Sequence, residues 1–89
     1  MPYTLQEQRD LMNPHINALL SEIGRLPEAD RGGNLDYIVF VLLRRLTTGE
    51  KYTVQRGYYG DVLWAAAEWY RRFAVPYEDQ ARLRNGDIT

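Results

Sequence analysis

The chain has 89 residues, of which 45% are hydrophobic, so it can form one small domain that collapses around apolar side chains. It contains no cysteine and a single histidine, which excludes disulfides, thiolate zinc sites, iron–sulfur clusters and multi-histidine metal sites. Eleven basic and twelve acidic residues give a net charge of −1, which argues against non-specific binding to duplex nucleic acid.

The first third of the sequence predicts two helices separated by a proline. Thr4 and Glu7 have the spacing of a capping box, which predicts a short helix from about Leu5 to Met12. Asn13-Pro14 then has the character of a new helix start, and the helix that it opens should end near Leu26. The apolar face of this second helix consists of Ile16, Leu19, Leu20 and Ile23.

The middle of the sequence predicts a polar loop followed by a very apolar helix. Residues 27–34 include Gly32-Gly33, so we expect a loop there, and Asn34 is a suitable N-cap for a helix over Leu35–Leu46. A buried β-strand over Tyr37–Leu43 is the alternative, because β-branched and aromatic residues are dense in that segment.

The apolar surface of this helix is too wide for a small monomer to cover. Phe40 and Val41 extend the stripe well beyond one face, which predicts a homo-oligomer. Trp64 and Trp69 lie about 140° apart around a later helix, so one of them should face a partner subunit or a ligand. The residues that keep helical spacing in the stripe are Leu35, Ile38, Val39, Leu42, Leu43 and Leu46.

The last part of the sequence predicts a long helix and a short one. The segment Thr47-Thr48-Gly49-Glu50 should end the preceding helix, and residues 51–57 look extended or looped. A long helix is predicted from about Tyr58 to Phe73. Pro76 should interrupt the chain and open a last helix, which ends at Asn85-Gly86.

Several short segments resemble a family of small proteins encoded by phages and by bacterial genomes that carry phage-derived genes. The resembling segments are Met1-Pro2-Tyr3, Gln6-Glu7 with Arg9, Gly33 to Ile38, Tyr70-Arg71-Arg72, Pro76-Tyr77-Glu78-Asp79 and Asn85-Gly86-Asp87-Ile88. This family is a domain of unknown function, so the resemblance implies a phage accessory gene and supplies no catalytic residue. A looser analogy, based on size, origin and composition, is to helical phage oligomers that sequester cyclic nucleotides made by bacterial immune systems.

Arginine is the most distinctive residue type, since ten arginines accompany a single lysine, Lys51, and seven tyrosines. A GC-rich genome would also enrich arginine. Arg44-Arg45 and Arg71-Arg72 each end an apolar helix, where cations favour the helix dipole. The functional interpretation is that symmetry-related copies in an oligomer bring the arginine guanidinium groups and the tyrosine rings together. The guanidinium groups would then hold the phosphates of a ligand while the rings stack on its bases. The predicted ligand-binding residues are Arg44, Arg45, Tyr58, Tyr59, Arg71, Arg72 and Tyr77.

The sequence predicts no catalytic residue, metal site or cofactor. His15 has no partner on its helix, because Ser21 lies about 240° around the axis. Glu78-Asp79 suits the first turn of a helix. Glu68 can form ion pairs with Arg71-Arg72 at the i+3 and i+4 positions.

Taken together, the residues predict an all-α protein of about four helices, in one domain over residues 1–89, which forms a homo-oligomer. We expect a cytoplasmic protein without a membrane segment, since the first residues lack a charged, apolar leader. The leading functional hypothesis is a non-enzymatic protein that sequesters a small anionic ligand, such as a cyclic nucleotide signal. The alternative is an interaction module that docks on a host or phage protein.

Overall fold

A computed structural model of the chain describes residues 4–86. The helical elements are α1 (Gln6–Arg25), α2 (Glu28–Thr47), α3 (Tyr52–Trp69), a π-helical turn (Tyr70–Ala74) and α4 (Val75–Asn85). Since α3, the π-helical turn and α4 follow one another without a break, they form a single helical stretch. The chain therefore has three helical stretches, and the predicted number of four is wrong.

Helices account for nearly all of the described range, and residues 4–86 contain no strand. The prediction of an all-α fold is thereby confirmed, and the alternative of a β-strand over Tyr37–Leu43 is wrong. Two segments of the family resemblance, Met1-Pro2-Tyr3 and Asp87-Ile88, lie outside the described residues.

The chain divides into two units, Met1–Leu42 and Leu43–Thr89, and the division falls inside α2. In both units, none of the side chains within residues 4–86 is buried. Large apolar side chains are exposed in the first unit, for example Leu11 at 68%, and in the second, for example Leu83 at 78%. Each unit thus lacks the enclosed apolar core that ordinarily stabilises a folded domain.

Helix α1 runs through Pro14 without interruption, so the predicted break between two short helices is wrong. A proline inside a helix cannot donate to the carbonyl four residues earlier, at a cost of about 3 kcal/mol. The residues on both sides continue the helical hydrogen bonding, and the helix tolerates the loss. The predicted capping box of Thr4 and Glu7 does not form; the N–H of Leu5 donates instead to Gln8 Oε1 at 3.2 Å.

Helix α2 begins at Glu28, so the predicted loop over residues 27–34 is also wrong. Gly32-Gly33 is helical, because a glycine costs only about 1 kcal/mol in a helix interior and does not by itself break it. Asn34 is not an N-cap: its side-chain Nδ2 donates to the carbonyl of Asp30 at 2.8 Å. The chain turns between α1 and α2 at Leu26, which is extended because a proline follows it.

The end of α2 is as predicted, but the segment after it is not. Gly49 adopts a positive φ of 81°, a conformation that glycine reaches without strain, and α2 ends at Thr47. Residues 51–57 were expected to be extended or looped, yet α3 already begins at Tyr52. At the far end of the chain, α4 stops at Asn85 before Gly86, as the sequence predicts.

Pro76 does not separate two helices, which corrects the predicted interruption. It is the second residue of α4, directly after the π-helical turn, where the N–H of Val75 donates to the carbonyl of Tyr70. This i→i−5 bond widens the helix by one residue just before the proline, and a π-helical turn of this kind often accompanies an irregularity in a helix. The backbone therefore continues in the same helical sense from α3 into α4.

The same kind of side-chain hydrogen bond fixes the start of three helices. In α1, α2 and α3, the fourth residue reaches back and donates to the backbone carbonyl five residues earlier. The three bonds are Arg9 Nη2 to Thr4 O at 2.9 Å, Arg31 Nε to Leu26 O at 3.1 Å, and Gln55 Nε2 to Glu50 O at 3.0 Å. Each bond satisfies a carbonyl outside the helix and so holds the incoming chain against the first turn.

Two of these residues also bind the preceding helix and thereby fix the corners of the chain. Arg31 Nη2 donates to the carbonyl of Gly24 at 3.1 Å, at the end of α1. Gln55 Nε2 donates to the carbonyl of Thr47 at 3.2 Å, at the end of α2. The direction in which α2 leaves α1, and α3 leaves α2, is thus set by one long side chain at each corner.

Candidate functional site

The predicted ligand-binding residues fall on different helical elements. Arg44-Arg45 lies in the last turn of α2, and Tyr58-Tyr59 lies one turn further along α3 than Gln55. Arg71-Arg72 lies on the π-helical turn, and Tyr77 lies in the first turn of α4. The residues near the α2–α3 link and the residues around the π-helical turn have very different surroundings.

Arg71 and Arg72, on the π-helical turn, both form ion pairs with one nearby carboxylate. Arg71 binds Glu68 with two nitrogens, Nε to Oε1 at 2.9 Å and Nη2 to Oε2 at 3.1 Å. Arg72 Nε contacts the same carboxylate at 3.0 Å. The predicted i+3 and i+4 pairing of Glu68 is confirmed, and we call these three residues the Glu68 cluster.

The Glu68 cluster holds its carboxylate in the charged form. The Glu68 side chain is only 19% exposed, whereas those of Arg71 and Arg72 are 66% and 51% exposed. The hydrogen bond from Arg71 lowers the pKa of Glu68 below its ordinary value, partial burial opposes this, and the charges of Arg71 and Arg72 lower it further. An anionic ligand at these arginines would have to compete with a carboxylate that is already in place.

Tyr77 is also engaged within its own helix. The guanidinium of Arg84 lies 6.0 Å from the centre of the Tyr77 ring, which is cation–π distance. About two turns earlier, the Tyr70 hydroxyl donates to Glu78 Oε2 at 3.4 Å. The α4 face near the π-helical turn is therefore covered by local contacts that lie only a few residues apart in sequence.

The cations at the corner between α2 and α3 have different surroundings. Within the described residues, the side chains of Arg44, Arg45 and Lys51 form no hydrogen bond and no ion pair. We call these three residues the corner cations. Gln55 ties the end of α2 to the start of α3. Arg44 and Arg45 lie in the last turn of α2, and Lys51 lies directly before α3.

Tyrosines lie close to the corner cations in sequence and on α3. Tyr58 is half-buried and Tyr59 is 57% exposed. Tyr52 carries the guanidinium of Arg56 at 5.9 Å from its ring centre, which adds a further positive charge to this region. Guanidinium and ammonium groups bind phosphate oxygens, and tyrosine rings stack on bases, so these residue types suit a nucleotide ligand.

The second surface feature is apolar. Among residues 4–86, twenty-one large hydrophobic side chains are at least 39% exposed, and they occur on every α-helix. Trp64 and Trp69 are 62% and 61% exposed, so both of the tryptophans that were expected to lie on different sides of the helix face outward. The ring of Trp69 packs against that of Phe73, with ring centroids 6.1 Å apart.

Two further observations bear on chemistry and location. Within residues 4–86, His, Asp and Glu side chains do not come together in any group of three that could hold a metal ion. In the same range, the helices are too short or too polar to cross a bilayer.

The corner cations include one residue that the sequence prediction omitted. Lys51 was noted as the single lysine but not as part of a site, and its position next to the N-terminus of α3 places it beside the end of α2. The charge count could have found it, because four of the eleven basic residues fall within residues 44–56 and only one acid, Glu50, lies among them.

The fold and these residues define a small all-helical protein with exposed apolar helix faces and a cationic corner. The chain belongs to the family described as a domain of unknown function, DUF6899, which matches residues 1–88. The expected relationship to a family of unknown function is thereby confirmed. No curated protein and no solved structure matches the chain.

Proposed function

We propose that this protein is a non-enzymatic binding protein that acts as a homo-oligomer. The observation that carries the proposal is the complete lack of buried side chains within residues 4–86, in a chain that is 45% hydrophobic. Exposed apolar surface on this scale marks an interaction face, because water contact with it is unfavourable. Self-association supplies the missing core in the way that is common for chains of this length.

The occupant that we favour for these faces is another copy of the same chain. Apolar residues are exposed on every α-helix, from Leu5 before α1 to Leu83 in α4, and not on one isolated patch. A docking module for a single foreign protein needs only one such patch. A host or phage protein as the occupant is therefore an outcome that the experiment below must distinguish.

A second function, binding of a small anionic ligand, is favoured by the corner cations. Arg44, Arg45 and Lys51 have no acidic partner among residues 4–86 and lie beside the link that Gln55 makes between α2 and α3. Arg71 and Arg72, in contrast, already bind Glu68. Arginine forks match phosphate oxygens, and nearby tyrosines can stack on a base. Together with the phage origin that the resemblance implies, this supports a cytoplasmic protein that sequesters a nucleotide signal.

Native mass spectrometry of the purified protein tests both proposals at once. We expect an oligomer, and after addition of a panel of mono-, di- and cyclic nucleotides we expect a ligand that is retained and recovered unchanged on denaturation. A monomer at all concentrations contradicts the homo-oligomer. An oligomer that binds none of the nucleotides contradicts the proposed ligand binding and leaves self-association as the supported proposal.

Paired variants identify the ligand site. Arg44→Ala with Arg45→Ala should abolish retention of the nucleotide, because both guanidinium forks are removed from the corner. Arg25→Ala is the matched control: Arg25 is an exposed arginine of α1 with its own partner, Glu22, at 3.3 Å. Equal loss of binding in the corner variant and in the control would place the site elsewhere.

A further inference from the structure

Helix α2 consists of residues that favour a helix only weakly. It contains Gly32-Gly33, and glycine is the weakest helix former apart from proline. The segment that follows, Tyr37–Leu43, is dense in β-branched and aromatic residues, whose side chains lose rotamer freedom in a helix. Local preference therefore does not account for a continuous helix of 20 residues in this part of the chain.

Charged side chains compensate for this weakness only at the ends of α2. Within residues 4–86, the acids and arginines of α2 form no ion pair. Glu28 and Asp30 lie in the first turn and Arg44 and Arg45 in the last, where their charges suit the helix dipole. That effect falls off within one turn, so it does not stabilise the apolar middle of the helix.

Burial within the single chain does not stabilise α2 either. None of its side chains is buried, and Leu35, Leu42 and Leu46 are each more than half exposed. In folded proteins most of the stability of a helix comes from packing of its apolar face and not from helix propensity. The single chain thus lacks the contribution that a weak helix former such as α2 needs most.

The stretch from Asp61 to Asn85 has the opposite properties. It contains no glycine and has three consecutive alanines, which are the strongest helix formers. Its proline, Pro76, follows directly after the π-helical turn. Its ion pairs are local, in the Glu68 cluster and between Asp79 and Arg82. Propensity and local pairs thus act together to keep this stretch helical without a second chain.

We propose that α2 becomes helical only as the chain self-associates, so that folding of this helix and assembly are one step. The stretch from Asp61 to Asn85 is helical already in the free chain. This inference rests on the self-association proposed above and adds how it regulates the candidate site. Because Arg44 and Arg45 lie in the last turn of α2, they are held on a helix only above the concentration at which the chain assembles.

The first test follows helix content and assembly over one concentration series. Circular dichroism at 222 nm measures helix content, and sedimentation velocity measures assembly. As the assembly dissociates, the helical signal should fall by at least about a quarter, which is the share of α2 among the helical residues. It should level off no lower than about a third, which is the share of Asp61–Asn85. A signal that stays constant through dissociation overturns the inference.

A glycine substitution tests the coupling without disturbing a contact of the single chain. A Cβ atom added at Gly32 has no heavy atom within 4 Å beyond the neighbouring helical backbone. Gly32→Ala should lower the concentration at which half of the chains are assembled by about fivefold or more, because alanine favours the helix by about that factor in each chain. If α2 is already helical in the free chain, alanine stabilises free and assembled chains equally, and this concentration does not change.

Ala67→Gly is the matched control, since it makes the reverse exchange at an exposed position within Asp61–Asn85. This stretch is helical in the free and in the assembled chain, so the control should leave the half-assembly concentration unchanged. A rise of about fivefold in the control would show that the whole chain folds on assembly, which overturns the distinction between α2 and this stretch. Circular dichroism verifies that each variant is helical when assembled.

The outcomes separate this inference from the proposed function. A wild-type chain that is monomeric at every concentration overturns self-association and the coupling with it. An oligomer whose half-assembly concentration is unchanged by Gly32→Ala overturns the coupling alone. An oligomer that Gly32→Ala weakens also overturns the coupling, because Gly32 is then a point of close approach between copies.

Discussion

Helix α2 and the stretch from α3 to α4 satisfy their charges in opposite ways. In the C-terminal stretch, Glu68 binds Arg71 and Arg72, and Asp79 contacts Arg82, all at i+3 or i+4 spacing. In α2, Arg31 binds backbone carbonyls, and the acids and the other arginines form no ion pair within residues 4–86. From Asp36 to Arg44 is a distance of eight residues, or about 12 Å along the axis, which is beyond the reach of a pair on one helix.

This difference shows how sequence spacing decides whether a helix can stand alone. Opposite charges three or four residues apart meet on the surface of one helix, so the C-terminal stretch needs no second chain to pair them. Charges separated to the two ends of a helix can meet only across an interface. We therefore expect α2 to depend on assembly and the Glu68 cluster to be independent of it.

The largest expected effect is the dependence of the melting temperature on concentration. An about hundredfold dilution should lower it by about 8 °C, given an unfolding enthalpy near 0.7 kcal/mol per residue summed over two chains. Circular dichroism melts over a concentration series measure it. A wild-type melting temperature that does not change with concentration would contradict the expectation that α2 depends on assembly.

The next effect concerns the corner that joins the two regions. Gln55→Ala should lower the free energy of unfolding by about 1–2 kcal/mol, because two backbone carbonyls lose their donor. Gln6→Ala is the control: its amide donates to the exposed carboxylate of Asp10, and its removal should cost less than about 0.5 kcal/mol. Urea denaturation at a fixed protein concentration compares them. Similar losses in both variants would show that Gln55 does not fix the corner.

The smallest effect is the pH dependence of the Glu68 cluster. The folded state lowers the pKa of Glu68, so its contribution to stability is fully present above the ordinary value of 4.5. That contribution is lost as the pH falls from there through the lowered pKa. Glu68→Gln should flatten this part of the stability profile, measured by urea denaturation between acidic and neutral pH.

Two further results check the origin of that slope. Salt at about 1 M should flatten the wild-type profile as well, since it screens exposed charges. The slope should also be the same at protein concentrations above and below those at which the homo-oligomer dissociates, because the cluster lies within one helical stretch. An unchanged acid slope in Glu68→Gln would assign the slope to other carboxylates.

Much of the fold could be predicted from local sequence signals. The helical class, the end of α1 near Leu26, the stop at Gly49 and the stop at Gly86 all follow from residue types that act within a few positions. The i+3 and i+4 pairing of Glu68 is of the same kind. The apolar stripe of α2 was also visible, because helical spacing depends only on the order of residues.

The main errors concern residues that were expected to break a helix and that the helix instead accommodates. Pro14, Gly32-Gly33 and Pro76 were each interpreted as breaks, and each lies inside a continuous helical stretch. A break leaves several backbone groups without partners, whereas a proline or glycine within the helix costs about 1–3 kcal/mol. The candidate site changed for a similar reason, since Glu68 already occupies two of the predicted arginines.

By itself the sequence determined that this chain is helical, where its strongest stops lie and which side of α2 is apolar. These properties depend on residue order and on the fixed periodicity of the helix. Only the tertiary structure decided which long side chains reach back to fix the helix starts and corners, which cations have a carboxylate partner, and that neither unit encloses a core. Those properties depend on distances between particular atoms, and no periodic pattern in the sequence specifies them.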